Sequence, residues 1–159
     1  MAEGLPGKTP AESAVQMTEL VLPNDANILG NMLGGRVMHY IDIAGALAAA
    51  RHAGRVCVTA SMERLDFLHP IRVGDVIVLE ARVHWAGRTS IEVGVQVYAE
   101  RIGGGERRKT CEAILTYVAV DDQGRPTPVP PVIPTTPEEE ERYRQAEARA
   151  AARRRRQED

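Results

Sequence analysis

Gly35 to Ala53 spaces its apolar residues for a helix. Val37, Ile41, Ala44 and Ala48 form one stripe, and Tyr40, Ile43 and Leu47 form a second. Apolar residues nearly surround the axis, which predicts a helix held in a core rather than on a surface. Gly54 is a natural stop for it. After Gly54 the period changes to two. Arg55 to Leu68 is rich in strand formers and ends at His69-Pro70. Along Val76–Ala86, Ile77, Leu79, Ala81, Val83 and Trp85 should face one way, and Glu80, Arg82 and His84 the other. Ile91, Val93, Val95, Val97 and Ala99 alternate with Glu92, Gln96 and Glu100. A last strand runs from Lys109 to Val120. Turns are expected at Gly87-Arg88, at Gly103-Gly104-Gly105 and at Asp121-Asp122-Gln123-Gly124. Ahead of the helix, Ser13 to Leu22 reads as a strand ended by Pro23.

Short connections between consecutive strands make an antiparallel sheet. The expected class is α+β: five or six antiparallel strands wrapped around one long central helix, with a further helix at the C-terminal end. Residues 1–12 read as a flexible start, 13–125 as the folded domain, 126–136 as a Pro-rich connector and 137–157 as a charged helix. Six of the ten prolines fall in residues 126–137, an extended polyproline-like stretch. Thr136 can cap the following helix, with Pro137 first and Glu139 completing a capping box. Acids open that helix and Arg153 to Arg156 close it, which suits its dipole. No second helix is expected over the sheet's outer face. Val76, Val78, Ile114 and Val118 fall there, so another copy of the chain should bury part of it.

Composition narrows the function. The formal net charge is -2, which argues against binding nucleic acid through bulk positive charge. Aromatic residues are only 4%, too few for a base-stacking surface. No run of about 18 apolar residues is present to span a membrane, and no apolar secretory leader follows Lys8. Cys57 and Cys111 lie in apolar stretches and read as reduced, buried thiols, so a cytoplasmic setting is expected. His39, His52, His69, His84 and the cysteines lack metal-ligand spacing, so no metal is expected.

Asp42 breaks the apolar pattern of the helix. A carboxylate buried there costs several kcal/mol or is pushed toward its neutral form, a setting that suits a general base. A salt bridge to His39, or a helix less buried than its pattern suggests, is the plain alternative. The preceding loop, residues 23–35, carries Asn27, Gly30, Asn31, Gly34 and Gly35, yet is apolar at Ile28, Leu29, Met32 and Leu33. Gly34-Gly35 sits at the helix N-terminus, where free N–H groups can hold an oxyanion. Asp42 lies two turns on, roughly 10 Å away. That is too far for both to touch one substrate atom unless a second subunit supplies one of them. Arg88-Thr89-Ser90, at a hairpin turn, offers one guanidinium and two hydroxyls to a phosphate.

The order N-x-x-G-N-x-x-G-G-x-x-x-x-x-x-D (Asn27 to Asp42), followed by VTASMERLDFLHPIRVGD and TYVAVDDQGRPTPVP, resembles the hotdog-fold acyl-CoA thioesterases. It is similar to the YciA-type bacterial enzymes and the eukaryotic brain acyl-CoA hydrolase. The likeness covers residues 13 to 145. It implies a hotdog fold, a homodimer assembling as a trimer of dimers, and active sites at the dimer interface. It implies hydrolysis of acyl-CoA to fatty acid and CoA, with Asp42 as general base or nucleophile and Asn27 supplied by the opposite subunit. The Gly35 N–H would hold the oxyanion, with Gly34 beside it. CoA would meet Arg88, Thr89, Ser90 and Arg64 at its phosphates, and Thr59 and Ser61 along its pantetheine arm. No metal or organic cofactor is required, CoA being part of the substrate. A hotdog hydratase or dehydratase, or a non-catalytic acyl-CoA-binding oligomer, are the alternative readings.

Overall fold

The computed structural model describes residues 4–158. Five strands, β1 (Val15–Leu20), β2 (Cys57–Phe67), β3 (Asp75–Ala86), β4 (Ser90–Arg101) and β5 (Arg108–Ala119), form one antiparallel sheet in the order β1-β3-β4-β5-β2. Helix α2 (Gly34–Ala53) lies across its concave face. A one-turn helix α1 (Pro10–Ser13) precedes β1, and α3 (Pro137–Glu158) follows β5. The strands and central helix fall where the two periods place them. This is the hotdog fold the sequence led us to expect.

The helix and sheet close one core. Val37, Ile41, Ala44, Ala48 and Ala49 of α2 pack on Ile77, Leu79, Val93, Val97 and Leu115, all buried. Burying an aliphatic side chain of this kind is worth about 1.5–3 kcal/mol. Helix α2 ends at Gly54, whose N–H reaches the Ala50 carbonyl at 2.8 Å. Its far flank is not covered: Met38 and Leu47 stay exposed.

Three expectations need correction. First, Trp85 does not share a face with Ile77 and Val83. The pairing of β3 with β4 slips between Val83 and Trp85. One extra residue in a strand reverses the parity of everything after it. Ala86 therefore joins the main core, and Trp85 packs on the outer face with Ala146 and Ala150 of α3. Gly94 leaves room for the side chain of His84, the bulged residue, because a Cβ there would strike its ring.

Second, the outer face is not left to another copy alone. Helix α3 folds back over β3, and Val78 is already buried within the single chain. Its anchor is an ion cluster. Glu92 of β4 is fully buried and takes two hydrogen bonds from Arg149, both 2.8 Å, and one contact of 3.0 Å from His84 Nδ1. These partners hold the Glu92 carboxyl below its ordinary range, against the opposing effect of burial. At the start of α3, Thr136 Oγ1 accepts the Glu139 N–H at 3.1 Å. Glu139 itself reaches Thr135 rather than Thr136.

Third, the N-terminal segment read as flexible is tied down from Lys8 onward. Lys8 N–H donates to the Pro131 carbonyl at 3.0 Å, and the Ile133 N–H donates back to Lys8 at 2.9 Å. The proline connector thus runs beside the chain start. His52 of α2, fully buried, donates from Nε2 to the Pro130 carbonyl at 2.7 Å.

Candidate active site

Asp42 stands on the flank of α2, between the buried stripe and the uncovered side. It is half-buried rather than sealed off, because the sheet covers one side of the helix and nothing in this chain covers the other. Two hydroxyls fix it. Thr59 Oγ1 donates to Asp42 Oδ1 at 2.7 Å, and the Tyr117 phenol donates to the same oxygen at 3.1 Å and to the Asp42 carbonyl at 3.0 Å. Oδ2 has no protein partner among the described residues. Thr59 and Tyr117 are directly paired across β2 and β5, so both hydroxyls rise from one spot of the sheet. Burial, reinforced by the Asp42 charge, pushes the Tyr117 phenol far up, so it stays protonated and donates. Gly45 makes room for it, since a Cβ there would collide with the phenol oxygen.

The loop before α2 is folded with equal care. Asn27 Oδ1 accepts the N–H groups of Leu29 (2.9 Å) and Asn31 (3.2 Å), a local turn that leaves its amide NH₂ to act as donor. Asp25, buried, accepts the Leu22 N–H at 3.0 Å and is clamped by Arg36 from the first turn of α2, at 3.0 and 2.9 Å. The Leu22 N–H, and then Arg36, hold the Asp25 carboxyl below its ordinary range despite burial. Met32 N–H reaches the Ile71 carbonyl at 2.6 Å. The N–H groups of Arg36 and Val37 turn back to Leu33. Those of Gly34 and Gly35 find no partner among the described residues and are open to a ligand. An apolar hollow of about 360 Å³, lined by Met32, Gly34, Val37, Phe67 and Ile71, lies beside them.

On the other face of the sheet, Arg88, Thr89 and Ser90 line a cavity of about 450 Å³ together with Ser61 and Thr116. Arg153 and Arg154 of α3 close it. Thr116 Oγ1 is buried there without a partner. Thr59 and Ser61 are expected together along the pantetheine arm. A bulge at Ala60 separates them: Thr59 pairs with Tyr117 and Ser61 with Thr116, on opposite faces. Arg64 does not join Arg88 either. It pairs with Asp66 at 2.7 Å and opens on a different cavity, with Arg82, Arg142 and Arg149.

The sequence reading missed Tyr117, Asp25, Arg153 and Arg154. The arginine run at the chain's end was visible, but its place beside Arg88 depends on how α3 folds back. Among the described residues, no group of three or more His, Cys, Asp or Glu is placed to hold a metal, and no helix is long and apolar enough to cross a membrane.

The thioesterase superfamily profile matches residues 29–105. The uncharacterized acyl-CoA thioester hydrolase YkhA of Bacillus subtilis is 46% identical over 80% of this chain and 74% of its own. An apo-hexameric acyl-CoA thioesterase superposes with a TM-score of 0.90 at 45% identity, over 96% of this chain and 97% of that one. An acyl-CoA hydrolase of Staphylococcus aureus, solved with butyryl coenzyme A, coenzyme A and coenzyme A disulfide, gives 0.87 at 38%, over 96% and 93%. Alanine mutants of that enzyme at one asparagine, one aspartate and one threonine have also been solved, the asparagine mutant with coenzyme A. Along its chain the three are separated by fifteen and then seventeen residues. With the antiparallel sheet around α2 and a carboxylate held at its flank, this chain belongs to the hotdog-fold acyl-CoA thioesterases of the thioesterase superfamily.

Proposed function

We propose that this chain hydrolyses acyl-CoA to a free fatty acid and CoA, with Asp42 as its reacting carboxylate. The observation that carries the reading is the tethering of Asp42 Oδ1 by Thr59 and Tyr117, which leaves Oδ2 unoccupied. The spacing supports it: Asn27, Asp42 and Thr59 are fifteen and seventeen residues apart, the same separations as the asparagine, aspartate and threonine replaced in the S. aureus enzyme.

Oδ2 takes a proton from water, whose oxygen adds to the thioester carbon, or adds there itself to form an anhydride that water then opens. The carbonyl oxygen becomes an oxyanion, held by the Gly35 N–H with Gly34 beside it. Collapse breaks the carbon–sulfur bond: CoA leaves with the proton that Asp42 took from water, or, in the anhydride route, as a thiolate that takes its proton from the water that then opens the anhydride. The Asn27 amide, its oxygen already used, donates to the water or the thioester carbonyl. Asn27, Gly34 and Gly35 come from a second copy, because Asp42 is two helical turns from its own Gly35. The exposed Ile28, Leu29, Met38, Val56 and Val58 give that copy an apolar surface to cover. The reading is a homodimer, assembled further as a trimer of dimers; a similar acyl-CoA thioesterase is hexameric.

CoA's phosphates meet Arg88, Thr89, Ser90 and Ser61, with Arg153 and Arg154 completing the basic wall. That cavity and Asp42 lie on opposite faces of the sheet, so the pantetheine arm passes β2, the sheet edge. Thr59 acts on Asp42 rather than on the arm, and Arg64 stands apart from the phosphates. No metal or organic cofactor takes part. Cys57 and Cys111 are free, which suits a reducing, cytoplasmic setting, and burial pushes their thiols up to about 11.

The test is release of CoA thiol by the purified protein across acyl chains from acetyl to palmitoyl, beside the Asp42→Asn variant. Turnover that falls by orders of magnitude in the variant, with the oligomer intact, is expected. Wild-type rates in the variant, or hydration of crotonyl-CoA without thiol release, overturn the reading.

A further inference from the structure

We infer that Tyr117 is a positioning residue for the reaction, one that commits Oδ2 of Asp42 to the substrate by occupying Oδ1. The inference rests on Asp42 being the reacting carboxylate. Tyr117 is fully buried, so it cannot touch the substrate itself. Its phenol is a fork: one contact to the backbone carbonyl of Asp42 at 3.0 Å, one to Oδ1 at 3.1 Å. A donor shared between a residue's main chain and its side chain fixes the carboxylate relative to the helix. Partial rotation of the carboxylate about its last bond would swing the free oxygen, Oδ2, away from its bearing. Two hydroxyls on Oδ1, one from each of two paired strands, oppose that swing and hold the carboxylate plane.

The surroundings are built around this contact. Gly45 lies three residues beyond Asp42, on the turn that faces Tyr117, and any Cβ there would occupy the phenol's position. A glycine inside a helix is destabilising relative to alanine, so room for the phenol comes at some cost to α2. Cys57, at the start of β2, is the other titratable group reaching Tyr117, and it is a neutral thiol. His39, on α2 itself, is exposed. The hydroxyls of Tyr117 and Thr59 are the only protein donors to the Asp42 carboxylate among the described residues.

The experiment uses the full-length protein with butyryl-CoA as the probe. Tyr117→Phe keeps the ring and removes only the hydroxyl. A fall in kcat of roughly ten- to hundredfold is expected, the loss of one hydrogen bond to a charged group, with KM within about twofold. In the Asp42→Asn background the same change should leave the residual rate unaltered. A kcat within about twofold of wild type, a rise in KM alone, or an equal fall in both backgrounds overturns the inference, the last by making Tyr117 merely structural. The proton NMR spectrum gives a reading free of turnover. A slowly exchanging hydroxyl resonance should vanish in Tyr117→Phe and move in Asp42→Asn; one that does not move in Asp42→Asn also overturns it. If the wild-type protein cleaves no acyl-CoA, the functional reading falls, while the resonance still decides whether Tyr117 holds Asp42.

Discussion

Thr59 and Tyr117 face each other across β2 and β5, and their hydroxyls converge on one oxygen of Asp42. The Thr59 bond is the shorter, 2.7 Å against 3.1 Å, and comes from the sheet edge. Thr59→Ala should lower kcat by roughly ten- to hundredfold, and Thr59→Ser, which keeps the hydroxyl, should stay within about threefold of wild type. Steady-state kinetics on both variants checks this. Equal losses in the two would assign the effect to the methyl group and its packing.

The cavity at Arg88 is read through KM. Arg88→Ala should raise KM for acyl-CoA on the order of tenfold with little change in kcat, because a phosphate contact remote from the thioester is made equally in ground and transition states. Arg154→Ala should do the same more weakly. Both effects should shrink as salt is raised, since screening weakens exposed charges. A KM for Arg88→Ala equal to that of wild type would remove this cavity from CoA binding.

Glu92 is a carboxylate with no exposure, neutralised from α3 by Arg149. Arg149→Ala leaves that charge buried and should cost about 3 kcal/mol of stability. Glu92→Gln in the same chain should recover part of the loss by removing the orphaned charge. Urea denaturation of the single and double variants measures the coupling. Additive losses would mean that the ion pair does not anchor the helix.

His52 sets an acid limit on stability. Burial holds its imidazole below the ordinary value of 6.5, and the Pro130 carbonyl only partly offsets this. The folded state therefore binds its proton less readily than the unfolded chain. The stabilisation is complete above about 6.5 and is lost as pH falls through the lower folded value. Unfolding midpoints should drop between pH 7.5 and pH 5, more steeply in wild type than in His52→Gln. Asp25, whose carboxyl is also held low, adds a loss at still lower pH, below the ordinary carboxylate range. Parallel slopes for the two proteins near pH 6 would clear His52.

Much of this molecule can be read from its chain. The helix through Asp42 and the alternating strands are local signals, because side-chain periodicity follows directly from backbone geometry. Asp42 itself stood out as a carboxylate amid apolar neighbours. The Asn27 loop and the Gly34-Gly35 pair were legible as a run of turn residues with an unexplained apolar content.

What lay beyond the sequence was set by contacts between distant segments. Alternation assigns faces only while the count is unbroken. The bulges at His84 and Ala60 each insert one residue, sending Trp85 to the outer face and parting Thr59 from Ser61. The α3 helix advertised its ends and its charges, but not the buried Glu92 that draws it onto the sheet. Tyr117 meets Asp42 across 75 residues of chain. Local pattern specifies which way a side chain leaves its own backbone; which partner it then finds is decided only when helix and sheet close together.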